Sequence, residues 1–91
     1  MKKTVLITGA SSGFGKETAK LFQNNGWNVI ATMRSPENET ELSGLDNVLP
    51  IKMDVLDKQS IGEAVNKGID KFGINYITLY KFVVNPAFNI L

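Results

Sequence analysis

Short apolar runs recur along the chain at residues 4–8, 28–32 and 48–53, with longer mixed segments between them. Valine, isoleucine and leucine dominate these runs, and this pattern predicts three strands. Pro50 cannot donate a backbone hydrogen bond, so the third strand is expected at an edge of its sheet. A fourth run, within residues 77–84, is rich in β-branched and aromatic residues and could pair beside the first strand.

The segments between the runs carry apolar residues at helical spacing. One stripe predicts a helix over about residues 13–25 that Gly26 ends. We assign its core face to Phe14, Thr18, Leu21 and Phe22. A second stripe predicts a helix that ends near residue 72 and begins at a cap formed by Asp57 or Ser60. Its core face is assigned to Ile61, Ala64, Val65, Ile69 and Phe72.

A third, shorter helix is expected between the second and third strands. Ser35 followed by Pro36 is typical of a helix start, which predicts a helix through residue 41 or 42. Strand and helix therefore alternate along the chain. This order predicts an α/β fold with a parallel sheet of three to four strands and right-handed crossovers.

Composition limits the chain to one small domain. A chain of 91 residues buries only about 60 to 65% of its unfolded surface, so its core is modest. Ten basic and nine acidic residues leave a net charge of +1, which gives no field for nucleic acid. Cysteine and histidine are absent, which excludes disulfides and leaves no transition-metal site. No apolar run is long enough for a signal peptide or a membrane span, so we expect a cytoplasmic protein without a membrane partner.

A glycine-rich turn joins the first predicted strand to the first predicted helix. Residues 8–15 read T-G-A-S-S-G-F-G. Gly9 can form the tight turn out of the strand, Gly13 lets a pyrophosphate approach bare backbone, and Gly15 lets the helix pack closely on the sheet. The helix N-terminus adds unpaired N–H groups and the positive end of its dipole. With a second strand after the helix, the turn predicts a nucleotide-binding βαβ unit.

Two other motifs overlap this turn, and both fail. Residues 9–13 match the G-x-S-x-G nucleophile elbow of hydrolases, but that serine needs a histidine base and the chain has none. Gly15 and Lys16 match the end of the phosphate loop of nucleoside triphosphatases. That motif needs a glycine where Ala10 stands and a serine or threonine where Glu17 stands.

Residues 1 to about 73 resemble the start of a short-chain dehydrogenase/reductase. The turn matches the family's T-G-x-x-x-G-x-G motif, and Met53-Asp54-Val55 matches its acidic residue after the third strand. The resemblance implies a Rossmann-like, doubly wound parallel sheet, incomplete in this chain. It also implies a nicotinamide dinucleotide, hydride transfer to or from a carbonyl or alcohol, and a parent family that is often homo-oligomeric.

The resemblance also implies a set of cofactor-binding residues. Around the pyrophosphate these are Gly9, Ser11, Ser12, Gly13, Phe14 and Gly15. Near the adenine they are Asp54, whose carboxylate would accept a hydrogen bond from the adenine amino group, and Val55. The alternative role of Asp54 is a turn or helix-capping aspartate.

Arg34 bears on the choice of cofactor. It follows the second predicted strand, where NAD-specific dinucleotide folds usually carry an acid that holds the ribose 2′-hydroxyl. No acid occurs there until Glu37, and arginine suits a 2′-phosphate, so NADP is expected in preference to NAD. The alternative role of Arg34 is a solvated surface cation.

The family's catalytic groups are missing from these 91 residues. Its chemistry needs a tyrosine with a lysine four positions later, usually with a serine that orients the carbonyl. Tyr76 and Tyr80 are followed at that spacing by Tyr80 and Val84, and the family's N-N-A-G motif is also absent. Ser11 and Ser12 belong to the phosphate turn. We therefore assign no catalytic residue.

These observations divide the chain into a dinucleotide-binding portion, residues 1–73, and a divergent tail, residues 74–91. The tail could supply the fourth strand or be an exposed, aggregation-prone segment. The expected parent activity is that of an NADP-preferring oxidoreductase, interrupted after residue 73, for instance by a frameshift. Two other hypotheses stay open, namely a non-catalytic dinucleotide-binding module and an inactive truncated gene product.

Overall fold

A computed structural model describes residues 3–11, 13–73 and 77–80 of the chain. Among these residues, four strands and two α-helices follow one another in the order β1 (Thr4–Ile7), α1 (Gly13–Asn24), β2 (Asn28–Met33), β3 (Val48–Lys52), α2 (Lys58–Phe72) and β4 (Ile77–Tyr80). The predicted strands and the two long helices are therefore present with closely matching bounds. Residues 74–76 and 81–91 of the predicted tail lie outside the described residues.

The described strands form one parallel sheet in the order β3-β2-β1-β4. In the centre, Leu6 of β1 lies opposite Ile30 of β2 on one side and Leu79 of β4 on the other. This sheet confirms the predicted α/β architecture, and β4 is its fourth strand. Pro50 belongs to β3, an edge strand of the described sheet, and lies opposite Ala31 of β2. An edge position is expected for a residue with no N–H to donate.

Alternate residues of the central strands face two separate cores, because successive side chains on a strand point to opposite faces. Val5 and Ile7 pack with Ala19 of α1 in one cluster, whereas Leu6 and Ile30 pack with Ala64 of α2 in the other. The two helices therefore cover opposite faces of the sheet. This arrangement confirms the doubly wound fold.

Helix α1 turns its smallest residues toward the sheet. Gly15 and Ala19 are buried and Phe22 is partly buried, whereas Phe14 is 61% exposed and Leu21 is 60% exposed. The prediction that Phe14 and Leu21 belong to the core is therefore wrong. Glycine and alanine four positions apart let the helix approach the sheet closely, and this orientation turns the larger pair outward.

Gly26 ends α1, as predicted. The Gly26 N–H donates to the Gln23 carbonyl and the Trp27 N–H donates to the Phe22 carbonyl, both at 3.0 Å. These two bonds form the Schellman pattern of a helix C-terminus. The rings of Phe22 and Trp27 also pack edge to face, with centroids 4.8 Å apart, and this contact directs the chain into β2.

Asp57, and not Ser60, caps α2. The Asp57 carboxylate accepts a hydrogen bond from the Gln59 N–H at 3.0 Å, while the Ser60 hydroxyl accepts one from the Asp54 N–H at 2.8 Å. Ser60 is therefore engaged with the preceding loop. The apolar stripe of α2 faces the sheet as predicted, with Ala64 buried and three partly buried residues packed beside it, namely Ile61, Val65 and Phe72.

The segment between β2 and β3 forms two one-turn 3₁₀ helices, Pro36–Asn38 and Leu42–Gly44, and the predicted continuous helix is wrong. The Ser35 side chain makes no capping hydrogen bond. Glu39 has an extended backbone, with φ of −90° and ψ of 124°, and this interrupts the helix. Leu42 is fully buried and anchors the second turn in the core below α1.

Candidate functional site

The glycine turn lies at the carboxyl ends of β1 and β2. Gly9 and Gly13 have φ values of +64° and +59°, in the left-handed region that glycine enters without steric cost. The Ala10 N–H donates to the Thr32 carbonyl at 3.0 Å, and the Thr32 hydroxyl donates to the Ile7 carbonyl at 2.8 Å. These hydrogen bonds fix the turn against the end of β2.

Gly15 joins α1 to this turn at close range. A Cβ on Gly15 would overlap the Gly9 carbonyl oxygen and would lie 3.2 Å from the Ala10 Cα. The backbone that Gly15 meets is therefore that of the turn directly after β1. Helix α1 begins against the turn, so its unpaired N–H groups and the positive end of its dipole are beside it.

The outer side of the turn is open at Gly13. A Cβ on Gly13 would meet no atom within 4 Å. Ser11 and Phe14 are exposed on either side, and Ser12 lies outside the described residues. Open space beside bare backbone at a helix N-terminus fits an anionic pyrophosphate.

Arg34 and Asp54 line one open groove of about 700 Å³. Arg34 follows β2 and Asp54 lies beyond β3, so both are at the carboxyl edge of the sheet, where open α/β sheets bind ligands. Side chains of both charges contribute to the lining, namely Lys52, Asp57, Glu63 and Lys67. The structure thus brings Arg34 and Asp54 together, but the lining of this groove includes no residue of the glycine turn.

Asp54 forms a local turn in the loop before α2. Its Oδ1 accepts a hydrogen bond from the Leu56 N–H at 2.9 Å, and its carbonyl accepts one from the Asp57 N–H at 3.0 Å. The turn role that the sequence left open is therefore present. An ionised carboxylate has about four acceptor sites, so an exposed Asp54 can hold this turn and accept a further hydrogen bond. Val55, beside it, is 39% exposed.

A network of ion pairs joins α1 to the segment after β2. The Lys16 Nζ lies 3.1 Å from Glu39 Oε1 and 3.5 Å from Glu41 Oε1, and the Lys20 Nζ lies 2.6 Å from Glu41 Oε2. The N–H of Leu42 holds the pKa of Glu39 below its usual value of 4.5, and Lys16 lowers that pKa further. The hydrogen bond to Glu39 in turn raises the pKa of Lys16.

The sequence patterns did not reveal the contact between Lys16 and Glu39. The two residues are 23 positions apart in sequence, so no helical or strand spacing relates them. Glu39 also stands in a polar stretch where a buried side chain is not expected. The extended backbone of Glu39, which turns its side chain toward Lys16, is visible only in the structure, so the sequence offered no signal for this contact.

The described ranges 3–11, 13–73 and 77–80 contain neither a candidate metal site nor a candidate membrane-spanning helix. No group of three or more acidic side chains there is arranged to hold a metal ion. No helix within the same ranges is long and apolar enough to cross a membrane. The candidate site consists of the glycine turn and the loops after β2 and β3, which lie at the same edge of the sheet.

Known proteins are similar to this chain in sequence and in fold. The family model for short chain dehydrogenase matches residues 3–79. Oxidoreductase BOA17 of Botryotinia fuckeliana is 43% identical over 76 residues, which cover 80% of this chain and 28% of that protein. The 3-oxoacyl-(acyl-carrier-protein) reductase FabG of Thermotoga maritima is 43% identical over 76 residues, which cover 78% of this chain and 31% of that protein.

A solved structure shows the same likeness. The crystal structure of 3-ketoacyl-(acyl-carrier-protein) reductase from Brucella melitensis, complexed with NADH, superposes with a TM-score of 0.75 at 34% identity. The match covers 85% of this chain and 32% of that one. The chain thus spans about a third of the length of these relatives.

The family match continues beyond residue 73 and ends at residue 79, within β4. It therefore includes the whole glycine turn, both loops of the candidate site and most of the described sheet. Sequence, fold and turn agree, and the chain belongs to the short chain dehydrogenase family.

Proposed function

We propose that this chain is the cofactor-binding portion of an NADP-preferring oxidoreductase. The observation that carries the proposed dinucleotide binding is the open left-handed backbone at Gly13, the first residue of α1. A pyrophosphate carries negative charge and needs several N–H donors at once. A turn that presents bare backbone at a helix N-terminus supplies these donors without moving a side chain.

The residues of the turn have separate tasks in this proposal. Gly9 and Gly13 shape the backbone around the pyrophosphate, and Gly15 holds α1 against it. Ser11 and Ser12 offer hydroxyls to the phosphate oxygens, and Phe14 offers an exposed apolar surface beside them. When bound, the nicotinamide cofactor would supply the hydride acceptor or donor for a carbonyl or alcohol substrate.

Asp54 and Val55 form the adenine end of the proposed site. The Asp54 carboxylate accepts a hydrogen bond from the adenine amino group, while its Oδ1 keeps the hydrogen bond that it accepts from the Leu56 N–H. Val55, which is partly exposed, gives the base an apolar neighbour. Both residues lie in the loop between β3 and α2, at the same edge of the sheet as the turn.

The preference for NADP rests on Arg34. This residue is exposed at the end of β2 and faces the same groove as Asp54. A guanidinium binds a phosphate with two parallel hydrogen bonds, whereas the ribose 2′-hydroxyl of NAD is better matched by an acid. The crystal structure of the reductase from Brucella melitensis contains NADH, so the proposed NADP preference is made for this chain on the basis of Arg34 alone.

The proposed role of the chain is binding without turnover. No Tyr-x-x-x-Lys occurs in its 91 residues, so proton transfer to a carbonyl lacks its usual acid. Two alternatives to this proposal remain. One is an independent dinucleotide-binding module without catalytic function, and the other is an inactive truncated gene product. The dinucleotide is the only proposed ligand, and a cytoplasmic location stays a prediction from the sequence.

The test is calorimetric titration of the full chain with NADPH and NADH. Arg34→Ala should lower the affinity for NADPH by about ten- to a hundredfold, the range for a charged hydrogen bond of about 1.5 to 3 kcal/mol. The affinity for NADH should stay unchanged. Lys67→Ala is the matched control, because Lys67 lines the same groove from α2. Equal losses for both cofactors in Arg34→Ala would contradict the NADP preference, and no binding of either would contradict the site.

The interruption hypothesis concerns the encoding nucleotide sequence. The family match ends at residue 79, and residues 81–91 carry no N-N-A-G motif after β4. The sequence alone predicted the interruption after residue 73, and because the family match continues to residue 79 we propose a frameshift near the end of β4 instead. The other two reading frames should then contain an N-N-A-G segment near this point and a Y-x-x-x-K farther downstream. Absence of both motifs from every frame would favour the independent binding module.

A further inference from the structure

Glu39 is a buried acid in an otherwise exposed connection. Its side chain is 4% exposed, whereas Glu37, Thr40 and Glu41 around it are exposed. The Glu39 carboxylate accepts the Leu42 N–H at 2.8 Å through Oε2 and lies 3.1 Å from the Lys16 Nζ through Oε1. Because both oxygens of this buried carboxylate are engaged, the Glu39 side chain holds the backbone around it in one position. We call Glu39 the fixed point of the connection.

Lys16 links this fixed point to the nucleotide turn. It lies in the first turn of α1, directly after Gly15, whose backbone abuts Gly9. The ion pair therefore connects the β2–β3 connection to the helical turn that begins the proposed pyrophosphate site. Glu41 also reaches Lys16, at 3.5 Å, but its side chain is exposed and its shorter contact, 2.6 Å, is with Lys20 farther along the helix.

The backbone between Glu39 and Arg34 is short and restrained. The Asn38 N–H donates to the Ser35 carbonyl, and the Glu39 N–H donates to the Pro36 carbonyl, both at 3.0 Å. On the other side of Arg34, the Met33 carbonyl accepts the Met53 N–H at 2.9 Å as part of the sheet edge. Arg34 and Ser35 are thus the two residues between a strand held by the sheet, which ends at Met33, and a one-turn helix that begins at Pro36 and has Glu39 as its C-cap.

We propose that Glu39 is a positioning residue for cofactor selection. Together with Lys16, it fixes the distance between the Arg34 backbone and the glycine turn, and so places the guanidinium where a 2′-phosphate would lie. Glu39 itself touches no cofactor. This inference rests on the proposed function, because it gives Arg34 its place in a site for a 2′-phosphorylated dinucleotide.

The experiment measures the ratio of NADPH to NADH affinity by calorimetry for five forms of the full chain. These are the unmodified chain, Arg34→Ala, Glu39→Gln, Arg34→Ala combined with Glu39→Gln, and the control Glu41→Gln. Glu41→Gln removes an acid from the same connection and the same ion-pair network but leaves the buried contact intact. Thermal melting of each form reports whether it is folded.

We expect Glu39→Gln to reduce the NADPH to NADH ratio by about three- to tenfold, a range typical of coupling between residues of one network. Glu41→Gln should leave the ratio unchanged. In the Arg34→Ala background, Glu39→Gln should change the ratio by less than about twofold, because its effect passes through Arg34. A purely structural role for Glu39 would lower the melting temperature and leave the ratio as it was, which would overturn the inference.

The outcomes separate this inference from the proposed function. If Arg34→Ala removes the selectivity and Glu39→Gln keeps it, Glu39 has no positioning role but the NADP site stands. If the unmodified chain binds neither dinucleotide, the proposed function fails and this inference fails with it. Should Glu39→Gln not fold, Lys16→Met takes its place, because it removes the same ion pair and leaves the hydrogen bond from Leu42. An unchanged ratio in a folded Lys16→Met chain would equally overturn the inference.

Discussion

The first turn of α1 is packed against the end of β1 through the contact between Gly15 and Gly9. A Cβ on Gly15 would lie 2.7 Å from the Gly9 carbonyl carbon and would overlap its oxygen. The atoms that it would meet are backbone, which cannot move aside as a side chain can. The turn and the helix N-terminus therefore form one unit that depends on the absence of a single methyl group.

This contact predicts that Gly15→Ala destabilises the chain. Insertion of a methyl group into a packed site costs about 1 to 3 kcal/mol, a large part of the stability of a small domain. Urea denaturation should show the loss as a lower midpoint. The control is Gly62→Ala in α2, where a Cβ would meet nothing within 4 Å and alanine should stabilise the helix by about 0.5 to 1 kcal/mol. A Gly15→Ala chain as stable as the unmodified one would contradict this account.

Local patterns in the sequence predicted most of the fold and the glycine turn of the candidate site. The strands, the glycine turn and the edge position of Pro50 each follow from residues that are neighbours in sequence. The orientation of α1 did not, because Phe14 and Leu21 lie on a regular stripe as good as the one that contains Ala19. Close packing of Gly15 on the turn decided between the two stripes, and that contact exists only in three dimensions.

The sequence also could not decide which of two suitable polar residues caps α2. Asp57 and Ser60 are both good helix caps. The structure uses Asp57 because Ser60 accepts the Asp54 N–H and thereby closes the loop that carries the proposed adenine contact. The burial of Glu39 depends in the same way on Lys16, 23 positions earlier.

The absence of the Tyr-x-x-x-Lys pair predicts that the chain transfers no hydride. Loss of general acid catalysis alone costs about 10² to 10⁴ in rate. Positioning of a carbonyl substrate would be lost as well, which adds to this factor. The measurement is NADPH oxidation at 340 nm, a wavelength at which only the reduced cofactor absorbs, with a panel of aldehydes and ketones. Turnover by a pure sample that Tyr76→Phe or Tyr80→Phe abolishes would contradict the prediction.

The environment of Glu39 predicts a loss of stability in acid. The Leu42 N–H, and then Lys16, hold the folded-state pKa of Glu39 below its usual value of 4.5. A carboxylate with a depressed folded pKa stabilises the fold fully above its unfolded pKa, and this contribution is lost as the pH falls through the folded pKa. The free energy of unfolding should therefore decrease as the pH drops below about 4.5.

The matched comparison for this pH dependence is Glu39→Gln. At pH 7 this variant should be less stable than the unmodified chain, because glutamine carries no charge to pair with Lys16. The difference should shrink as the pH falls below 4.5, since protonation removes the same charge from the unmodified chain. Urea denaturation at several pH values measures both curves. A difference that stays constant from pH 7 to strongly acidic pH would show that charge on Glu39 does not contribute.

The last prediction separates backbone strain from occlusion of the proposed pyrophosphate site at Gly13. Gly13 combines a φ of +59° with open space where a side chain would project. Gly13→Val should therefore lose both stability and cofactor binding, because valine disfavours this backbone and its branches fill the space. Gly13→Asn should stay folded, since asparagine tolerates positive φ, yet it should weaken NADPH by about tenfold or more. The control is Gly26→Asn, which has a φ of +86° at the far end of α1 and should bind NADPH normally. A folded Gly13→Asn chain with unchanged affinity would place the cofactor away from the turn, because an asparagine side chain and a pyrophosphate cannot share this space.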